Sequence, residues 1–267
     1  MKAYRDAKQY RKIPIGYSAA DIAELRPNLQ NYLSCGTNAS EQIDFFALNA
    51  YEWCGDVDFK TSGYEILTNM IRNYNVPIWF SETGCQTVRP RKFDDFDAIF
   101  GPQMAPYWSG AMVYEWIEEA NNYGIIKYGD KVDPSTPGAP PDGFPRNGKP
   151  IPLEPEWSNL SKVWKGLKPS SIKEADYKPS VTAPACPDFT AEVWQVQGNA
   201  ALPTLGQTYD PNAKPTGTSN PPPAGTQSNG APAPTDTKGA APGSPVRELR
   251  GMGVGLVGVM LGFFWWM

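Results

Sequence analysis

The 267-residue sequence contains no histidine. This absence excludes Ser-His and Cys-His nucleophilic pairs, and also histidine-rich metal sites, from the chain. Basic residues are few: 24 Lys and Arg stand against 28 Asp and Glu, which gives a net charge of −4 without any basic run. Such a charge distribution argues against nucleic acid as a partner. The sequence therefore predicts chemistry based on carboxylates, tyrosines or thiols, with no metal and no cofactor.

The cysteines form no Cys-x-x-Cys pair, which disfavours a zinc or thioredoxin-type site. The four are Cys35, Cys54, Cys85 and Cys186. An even number fits two disulfides in any of three pairings, and disulfides indicate an oxidising compartment. Sequons beginning at Asn38 and Asn159 predict N-glycosylation and agree with secretion. The first residues are polar, however, and contain no apolar segment of a signal peptide.

The composition divides the chain into three regions. Residues 1–196 are rich in aromatic and aliphatic side chains and can form a folded domain, whereas residues 197–250 are dominated by Pro, Gly, Ser, Thr and Ala. Too little apolar surface is available there to offset the entropy of ordering, so this region is predicted to be a disordered stalk and spacer. Residues 251–267 form an uncharged apolar tail.

The tail and the residues before it predict a GPI-attachment signal. Three small residues beginning at Gly239 precede a polar spacer and then the apolar tail, which is the pattern of such a signal. Asn229 begins a second small-residue triplet and is an alternative attachment site. The competing interpretation is an ordinary C-terminal membrane anchor.

The folded region alternates between predicted strands and predicted helices. Short apolar runs predict strands at 13–18, 44–51, 76–82 and 110–116. Helical patterns lie at 20–34, 63–74, 94–106 and 156–167, and residues 188–196 are expected to close the domain. This order predicts an α/β fold with a parallel sheet, comprising about four βα units, or the C-terminal half of a (β/α)8 TIM barrel. A four-stranded open sheet is the alternative.

Polar side chains follow the predicted strands, at the edge where barrel enzymes place their active sites. Glu52, Glu82 and Glu115 lie at these ends, and Tyr51 and Tyr114 occupy equivalent positions. Glu82 is the strongest candidate because it ends an otherwise apolar strand, where a carboxylate is costly unless it is used. Nearby tryptophans could stack on sugar rings or pack in the core, and core packing is expected for Trp79. They are Trp53, Trp79, Trp108 and Trp116.

Four segments together resemble the fungal β-1,3-glucanosyltransferases of glycoside hydrolase family 72. They read IPIGYSAAD at 13–21, NAYEWCG at 49–55, FSETGC at 80–85 and VYEW at 113–116. The resemblance extends to about Cys186, and the stalk and GPI signal follow the family's plan. It implies β-1,3-glucan as both donor and acceptor, and a location on the outer face of the cell membrane and in the cell wall.

The resemblance also implies roles for individual residues. Glu82 corresponds to the catalytic nucleophile, and Tyr51 to the tyrosine that orients it. Tyr114 corresponds to a donor-site residue, and Asn49 and Glu115 are expected to bind substrate. The family's disulfide pattern pairs the cysteines as Cys54–Cys85 and Cys35–Cys186. The implied reaction is a retaining double displacement that lengthens β-1,3-glucan.

The sequence departs from the family pattern at one catalytic position. The family's acid/base glutamate follows an asparagine, and no Asn-Glu pair occurs in this sequence. The sequence therefore predicts an N-terminally truncated family member that lacks the acid/base half and is inactive by itself. A non-catalytic glucan-binding wall protein, a β-1,3-glucanase and a structural stalk are the alternative functions.

Overall fold

A computed structural model describes residues 1–169, 174–177, 180–198 and 202–206. The predicted apolar tail, nearly all of the predicted stalk, and both candidate GPI sites, Gly239 and Asn229, lie outside these residues.

The centre of the fold is a sheet of four strands that are all parallel, in the order β1-β2-β3-β4. The strands are β1 (Gly16–Ala20), β2 (Phe45–Asn49), β3 (Ile78–Thr83) and β4 (Ala111–Val113). Each lies within or overlaps one predicted apolar run, so the predicted α/β class with a parallel sheet is confirmed. The strands are shorter than predicted, because the ends of the runs serve as loops.

The helices are α1 (Lys2–Ala7), α2 (Arg26–Ser34), α3 (Tyr64–Ile71), α4 (Asp95–Ile99) and α5 (Glu156–Gly166). Two predicted boundaries are wrong. The helix predicted from residue 20 begins at Arg26, since β1 runs through Ala20 and Pro27 suits the first turn of a helix. The helix predicted over 94–106 ends at Ile99, because Gly101 and Pro102 follow and disfavour its continuation.

Smaller elements complete the described part of the chain. Strands β5 (Ile126–Lys127) and β6 (Ile151–Pro152) form an antiparallel pair beyond β4. A 3₁₀ turn covers Glu174–Asp176. The predicted closing segment 188–196 contains an isolated bridge between Thr190 and Trp194. It is fastened to the fold by the Cys35–Cys186 disulfide, which joins the end of α2 to the loop before the bridge.

One face of the sheet packs against the helices and forms the main core. Phe80 of β3 stacks on Trp108 at 4.1 Å between ring centroids and on Tyr64 at 5.2 Å. All three side chains are at most 4% exposed. On the opposite face, Met112 is 54% exposed and Trp79 is only partly buried. Trp79 is therefore not a core residue, contrary to the prediction.

Helix α3 buries a different stripe from the one its apolar residues suggest. Tyr64, Leu67, Thr68 and Ile71 are the buried positions, at the spacing of one helical face. Ile66 is 64% exposed and Met70 is 37% exposed, although both are apolar. Thr68 replaces an apolar residue on the buried face because its hydroxyl accepts a hydrogen bond from Trp108 Nε1 at 3.1 Å.

Candidate active site

Glu82 lies near the carboxyl end of β3, where it pairs in register with Asn49 of β2. The register shifts between Leu48 and Asn49, and again between Phe80 and Thr83. A shift of this kind changes which face a side chain takes. Phe80 and Thr83 are both buried, while the two residues between them, Ser81 and Glu82, are only partly buried. The irregularity thus presents the Glu82 carboxylate at the carboxyl-terminal end of the parallel strands.

Tyr51 holds this carboxylate directly. Its hydroxyl donates to Glu82 Oε2 at 2.6 Å, and the Ala50 amide donates to the Glu82 carbonyl at 2.9 Å. Burial and the hydrogen bond to Glu82 raise the pKa of the Tyr51 phenol well above its ordinary value. Tyr51 therefore stays protonated and acts as a donor, which fixes the orientation of the carboxylate while leaving the second oxygen of Glu82 for another contact.

Three tyrosine rings surround this pair. Tyr51 meets Tyr114 at 6.3 Å and Tyr123 at 5.6 Å, and Tyr114 meets Tyr123 at 5.2 Å, all edge to face. Burial raises the pKa of Tyr114 to about 12, with Glu115 as the next cause. Tyr123 was missed by the sequence analysis because it follows no predicted strand. The only available signal was a third aromatic residue shortly after Tyr114 and Trp116.

Glu115 is held beside Tyr114 by Asn121. The Asn121 side-chain amide donates to Glu115 Oε1 at 2.7 Å and to the Tyr114 hydroxyl at 3.3 Å. Burial raises the pKa of Glu115, and nearby Glu119 and Glu118 act in the same direction, while the Asn121 bond lowers it. Glu115 is thus placed at the edge of the tyrosine cluster with a polar contact of its own.

Asn49 engages its neighbours across the sheet. Its side-chain oxygen accepts hydrogen bonds from Ser81 Oγ at 2.6 Å and from Ser18 Oγ at 3.1 Å, and these two hydroxyls lie 2.7 Å apart. Three adjacent strands are thereby connected at the open face beside Glu82. The predicted substrate-binding residue Asn49 therefore also has a structural role.

Glu52 lies away from this cluster. Glu52 is an exposed residue, but desolvation of its carboxyl group and a hydrogen bond with Asp21 raise the pKa of Glu52. Asp21 is itself paired with Arg26 of α2. Among the interactions of the described residues, no second carboxylate contacts Glu82. The structure therefore does not assign the acid/base role to Glu52 or to Glu115.

The predicted sugar-stacking tryptophans differ in exposure. Trp108 is 4% exposed and lies in the core against Phe80, so it is a packing residue and the stacking interpretation is wrong for it. Trp53 is partly buried and packs on Tyr64 at 5.3 Å. Trp116 is 52% exposed and meets Trp157 of α5 edge to face. Of the predicted set, Trp116 has the largest free surface.

A buried polar chain lies directly behind Glu82. Thr83 Oγ1 donates to Asp95 Oδ2 at 2.9 Å and lies 3.2 Å from the Tyr64 hydroxyl. Asp95 is 3% exposed, and this burial raises its pKa to about 6, against the opposing effect of the Thr83 hydrogen bond. The residue after Glu82 is thus anchored to α4 by a directed hydrogen bond.

The disulfides and sequons occupy different surroundings. Cysteines pair as Cys54–Cys85 and Cys35–Cys186, the pairing that the resemblance implies, and the first bridge joins the loops after β2 and β3. Asn38 is in an exposed loop, with Nδ2 donating to Glu41. Asn159 is inside α5, and its Nδ2 donates to the Arg91 carbonyl at 2.8 Å.

Two further observations concern metal-ligating side chains and membrane-spanning helices. In the described ranges, no group of three or more metal-ligating side chains is arranged to hold an ion. No helix in those same ranges has both the length and the apolar character that crossing a membrane requires.

Comparison with known proteins identifies relatives of the chain. It is 41% identical to pH-responsive protein 2 of Candida albicans over 199 residues, which are 74% of this chain and 33% of the relative. It is 36% identical to 1,3-beta-glucanosyltransferase gas2 of Schizosaccharomyces pombe over 79% of this chain and 44% of the relative. The chain thus spans less than half the length of these curated relatives.

A solved structure shares the fold. Saccharomyces cerevisiae Gas2p, crystallised as a mutant in complex with laminaritetraose and laminaripentaose, matches with a TM-score of 0.60 and 36% identity. The match covers 74% of this chain and 39% of that one, and the Gas2 neighbours are TIM-barrel enzymes. The family model described as Glucanosyltransferase matches residues 1–136, about half of the sequence. The chain belongs to this fungal glucanosyltransferase family, glycoside hydrolase family 72.

Proposed function

We propose that the protein is a retaining β-1,3-glucanosyltransferase in which Glu82 is the nucleophile. The observation that carries this proposal is the 2.6 Å hydrogen bond from Tyr51 to Glu82 at the end of a parallel strand, within a cluster of three tyrosines. The names of its relatives and the laminari-oligosaccharides bound to Gas2p support β-1,3-glucan as the substrate.

In the first step, the free oxygen of Glu82 attacks the anomeric carbon of the donor glucan. The bond from that carbon to the leaving oxygen breaks, and a general acid protonates this oxygen as it departs. Tyr51 keeps the carboxylate oriented, and the rings of Tyr114 and Tyr123 provide flat surfaces beside the sugar. Asn49 and Glu115 present polar groups to its hydroxyls. The result is a glucan esterified to Glu82.

In the second step, the 3-hydroxyl of an acceptor glucan attacks the same anomeric carbon, which releases Glu82 and forms a new β-1,3 bond. The general base for this step is the residue that acted as the acid, at roughly 5–5.5 Å from the nucleophile. Because the sequence contains no Asn-Glu pair, we propose that residues 1–196 provide the nucleophile half of a (β/α)8 catalytic domain. The acid/base group would come from outside these residues.

An activated donor tests the role of Glu82 without requiring an acid. The probe is the 2,4-dinitrophenyl glycoside of laminaritriose with fluorine at C2 of the reducing-end glucose. Dinitrophenolate leaves without protonation, and the fluorine slows both steps so that the ester accumulates. Peptide mass mapping of the full chain is expected to place one trisaccharide on Glu82. Glu82→Gln should remain unlabelled, and Glu115→Gln should be labelled.

The outcome separates the proposed function from its alternatives. A label on another carboxylate, or no label on the folded protein, contradicts the assignment of Glu82. Retention on insoluble β-1,3-glucan without labelling would instead favour a non-catalytic glucan-binding protein. With reduced laminari-oligosaccharides and an added acid/base half, longer products indicate transfer, whereas only shorter products indicate a β-1,3-glucanase.

We further propose that the protein is secreted, glycosylated and held by a GPI lipid at the outer face of the cell membrane and in the wall. Residues 197–250 would form the stalk and spacer, and residues 251–267 the tail that is removed on attachment at Gly239, with Asn229 as the alternative. Release by phosphatidylinositol-specific phospholipase C and mass analysis of the C-terminal peptide test the anchor and its position. Resistance to the phospholipase with the tail retained would support an ordinary membrane anchor.

The two sequons give a matched test of glycosylation. Asn38 is exposed, so its modification requires only the loss of one surface hydrogen bond. Asn159 would have to leave α5 and its bond to the Arg91 carbonyl before its amide nitrogen could react. Secreted Asn38→Gln should lose the mass of one glycan, and Asn159→Gln should not. Loss of a glycan from both variants would show that Asn159 is modified before the domain folds.

A further inference from the structure

Arg91 is a buried arginine in the loop between β3 and α4. The residue is 3% exposed and its side chain 2% exposed. Arginine is almost never buried so fully unless its charge is paired and its donors are used. No pattern in the sequence predicts a role for this residue, and none of its hydrogen bonds runs to Glu82.

The charge of Arg91 is balanced by a buried carboxylate. Arg91 Nε donates to Glu156 Oε2 at 2.8 Å, and its backbone amide donates to Glu156 Oε1 at 3.0 Å. Glu156 begins α5 and is 2% exposed. Arg89 Nε also lies 2.8 Å from Glu156 Oε1. This ion pair accounts for one of the five side-chain donors of Arg91.

The remaining donors of Arg91 reach the two loops that carry the active-site tyrosines. Nη1 donates to the Tyr114 carbonyl at 3.0 Å, and Nη2 donates to the Tyr123 carbonyl at 2.7 Å. Longer bonds run to the carbonyls of Gly84, at 3.4 Å, and Gly124, at 3.3 Å. The planar fork of a guanidinium can make such contacts together, whereas a lysine ammonium provides a single point of charge.

Two of these carbonyls belong to Tyr114 and Tyr123, whose rings surround the Tyr51–Glu82 pair. Two other bonds tie the same backbones to the site: Tyr114 N donates to the Thr83 carbonyl at 2.8 Å, and Glu115 N donates to the Tyr123 carbonyl at 3.1 Å. A carbonyl that loses a buried donor must find another or bear the cost of being unpaired. Removal of the guanidinium therefore takes the Arg91 donor from the Tyr114 carbonyl and leaves the Tyr123 carbonyl with Glu115 N alone, so both tyrosine backbones are held less firmly beside Glu82.

We infer that Arg91 is a positioning residue, which acts through the backbones of Tyr114 and Tyr123 to place their rings around the reacting sugar. The inference rests on the proposed function. An ion pair with a purely structural purpose would need only Glu156, but the guanidinium instead distributes its other donors over both loops of the site. A displacement of about 1 Å in positioning groups can slow a reaction by about 100-fold.

Two variants separate positioning from stability. Arg91→Lys keeps a positive charge for Glu156 but loses the fork, so the rate of Glu82 labelling at saturating probe should fall about 10- to 100-fold. Glu156→Gln keeps the fork but leaves the charge of Arg91 less well balanced, so it should lower stability more and labelling less. Arg72→Lys is the control, because Arg72 is exposed and contacts Asn69 and the partly buried Tyr107, neither of which belongs to the tyrosine cluster around Glu82.

The full 267-residue chain is used for each variant, and urea unfolding is measured with the labelling kinetics. The inference is overturned if, in both variants, the loss of labelling only matches the loss of folded protein. It is also overturned if Arg91→Lys is labelled at the wild-type rate. Should Arg91→Lys not fold, Arg91→Gln carries the same prediction. It places no positive charge at the buried position 91, and Glu156 retains Arg89 as a partner.

A spectroscopic measurement is independent of catalysis. In protein containing 3-fluorotyrosine, the ¹⁹F resonances of Tyr114 and Tyr123, assigned with Tyr→Phe variants, should shift or broaden in Arg91→Lys. The Tyr107 resonance should not change. If the wild-type protein takes up no label, the proposed function fails, but the fluorine spectra still test Arg91. Unchanged Tyr114 and Tyr123 resonances in a folded Arg91→Lys protein would contradict the positioning role.

Discussion

The two halves of strand β3 are held in place by different forces. Its first half, Ile78–Phe80, is fixed mainly by burial: Phe80 is fully buried between Tyr64 and Trp108, and Ile78 is 2% exposed. We refer to this segment as the apolar half. Burial of this kind is strong and nearly independent of direction, so it secures the strand without specifying the orientation of any polar group.

Its second half, Ser81–Thr83, which we refer to as the polar half, is fixed by hydrogen bonds. The shortest side-chain bond of each residue runs to a different element: Ser81 to Asn49 of β2, Glu82 to Tyr51 of the loop after β2, and Thr83 to Asp95 of α4. These bonds are 2.6, 2.6 and 2.9 Å long. Directed bonds contribute less net stability than burial does, but they fix orientation.

The contrast separates the stability of the fold from the geometry of the site. Changes in the apolar half should unfold the protein, whereas changes in the polar half should alter reactivity or pH dependence in a protein that remains folded. The following predictions test this division, beginning with the largest effect.

Phe80→Ala should be the most damaging single change. It removes a fully buried ring from between two aromatic neighbours, and such truncations cost about 3–5 kcal/mol of unfolding free energy. Urea unfolding measures the loss. Met112→Ala is the control: it also removes a large apolar side chain from the sheet, but one that is 54% exposed, and should change stability by less than about 0.5 kcal/mol. Equal effects of the two changes would contradict the view that only one face of the sheet forms the core.

Asp95→Asn should change how stability depends on pH. Burial raises the pKa of Asp95 to about 6 in the folded state, against about 3.9 in an unfolded chain. The folded state thus binds the proton more tightly. The stability that Asp95 contributes is fully present below about pH 4 and is lost as the pH rises through about 6. Asparagine does not titrate, so it keeps its contribution at neutral pH.

The measurement is the difference in unfolding free energy between Asp95→Asn and the wild type at pH 4 and at pH 7. This difference should move in favour of the variant by about 2 kcal/mol, which is most of the roughly 3 kcal/mol that the full two-unit shift in pKa is worth. Comparison of the two proteins removes the contribution of the other titrating groups. A constant difference across this range would show that Asp95 does not titrate between these pH values.

The apolar half illustrates how much of the fold could be predicted from the sequence. Apolar runs identified all four strands of the central sheet and their parallel arrangement, because a strand that is covered on its helix face must be apolar there. The same reasoning does not give the buried face of α3. Thr68 is polar and Ile66 apolar, yet Thr68 is buried with Trp108 as its partner and Ile66 is exposed.

The polar half shows the limit more clearly. Glu82 and Tyr51 were identified because they follow predicted apolar strands, and the family motifs then gave each its role. Tyr123 and Arg91 were not, since each owes its position to contacts between segments that are distant in sequence. Arg91 lies 65 residues from Glu156 and 32 from Tyr123. No periodicity or local motif carries that information, so it became visible only in the folded structure.

Tyr51→Phe should impair reaction more than folding. It removes the hydroxyl that donates to Glu82 but leaves the ring in the tyrosine cluster. A hydrogen bond to a charged group contributes about 1.5–3 kcal/mol, so the rate of Glu82 labelling by the activated trisaccharide should fall roughly 10- to 100-fold. Tyr10→Phe, at a site 59% exposed, is the matched control. A Tyr51→Phe protein that unfolds but labels normally while folded would assign Tyr51 to stability alone.

The smallest predicted effect concerns the hydrogen bond between Trp108 and Thr68 in the main core. Thr68→Val keeps the shape of the side chain but removes the acceptor for Trp108 Nε1, so the buried indole N–H is left without its partner. The expected cost is about 1–2 kcal/mol of unfolding free energy, well below that of Phe80→Ala, because an unpaired donor costs less than a lost ring. Thr37→Val, at an exposed position, is the control and should be close to neutral.

Labelling of Glu82 in the folded fraction of Thr68→Val should not change, because Thr68 supports the apolar half and none of the bonds of the polar half. A slower labelling rate in fully folded Thr68→Val would mean that the two halves of β3 are energetically coupled, so that stability and site geometry could not be altered separately.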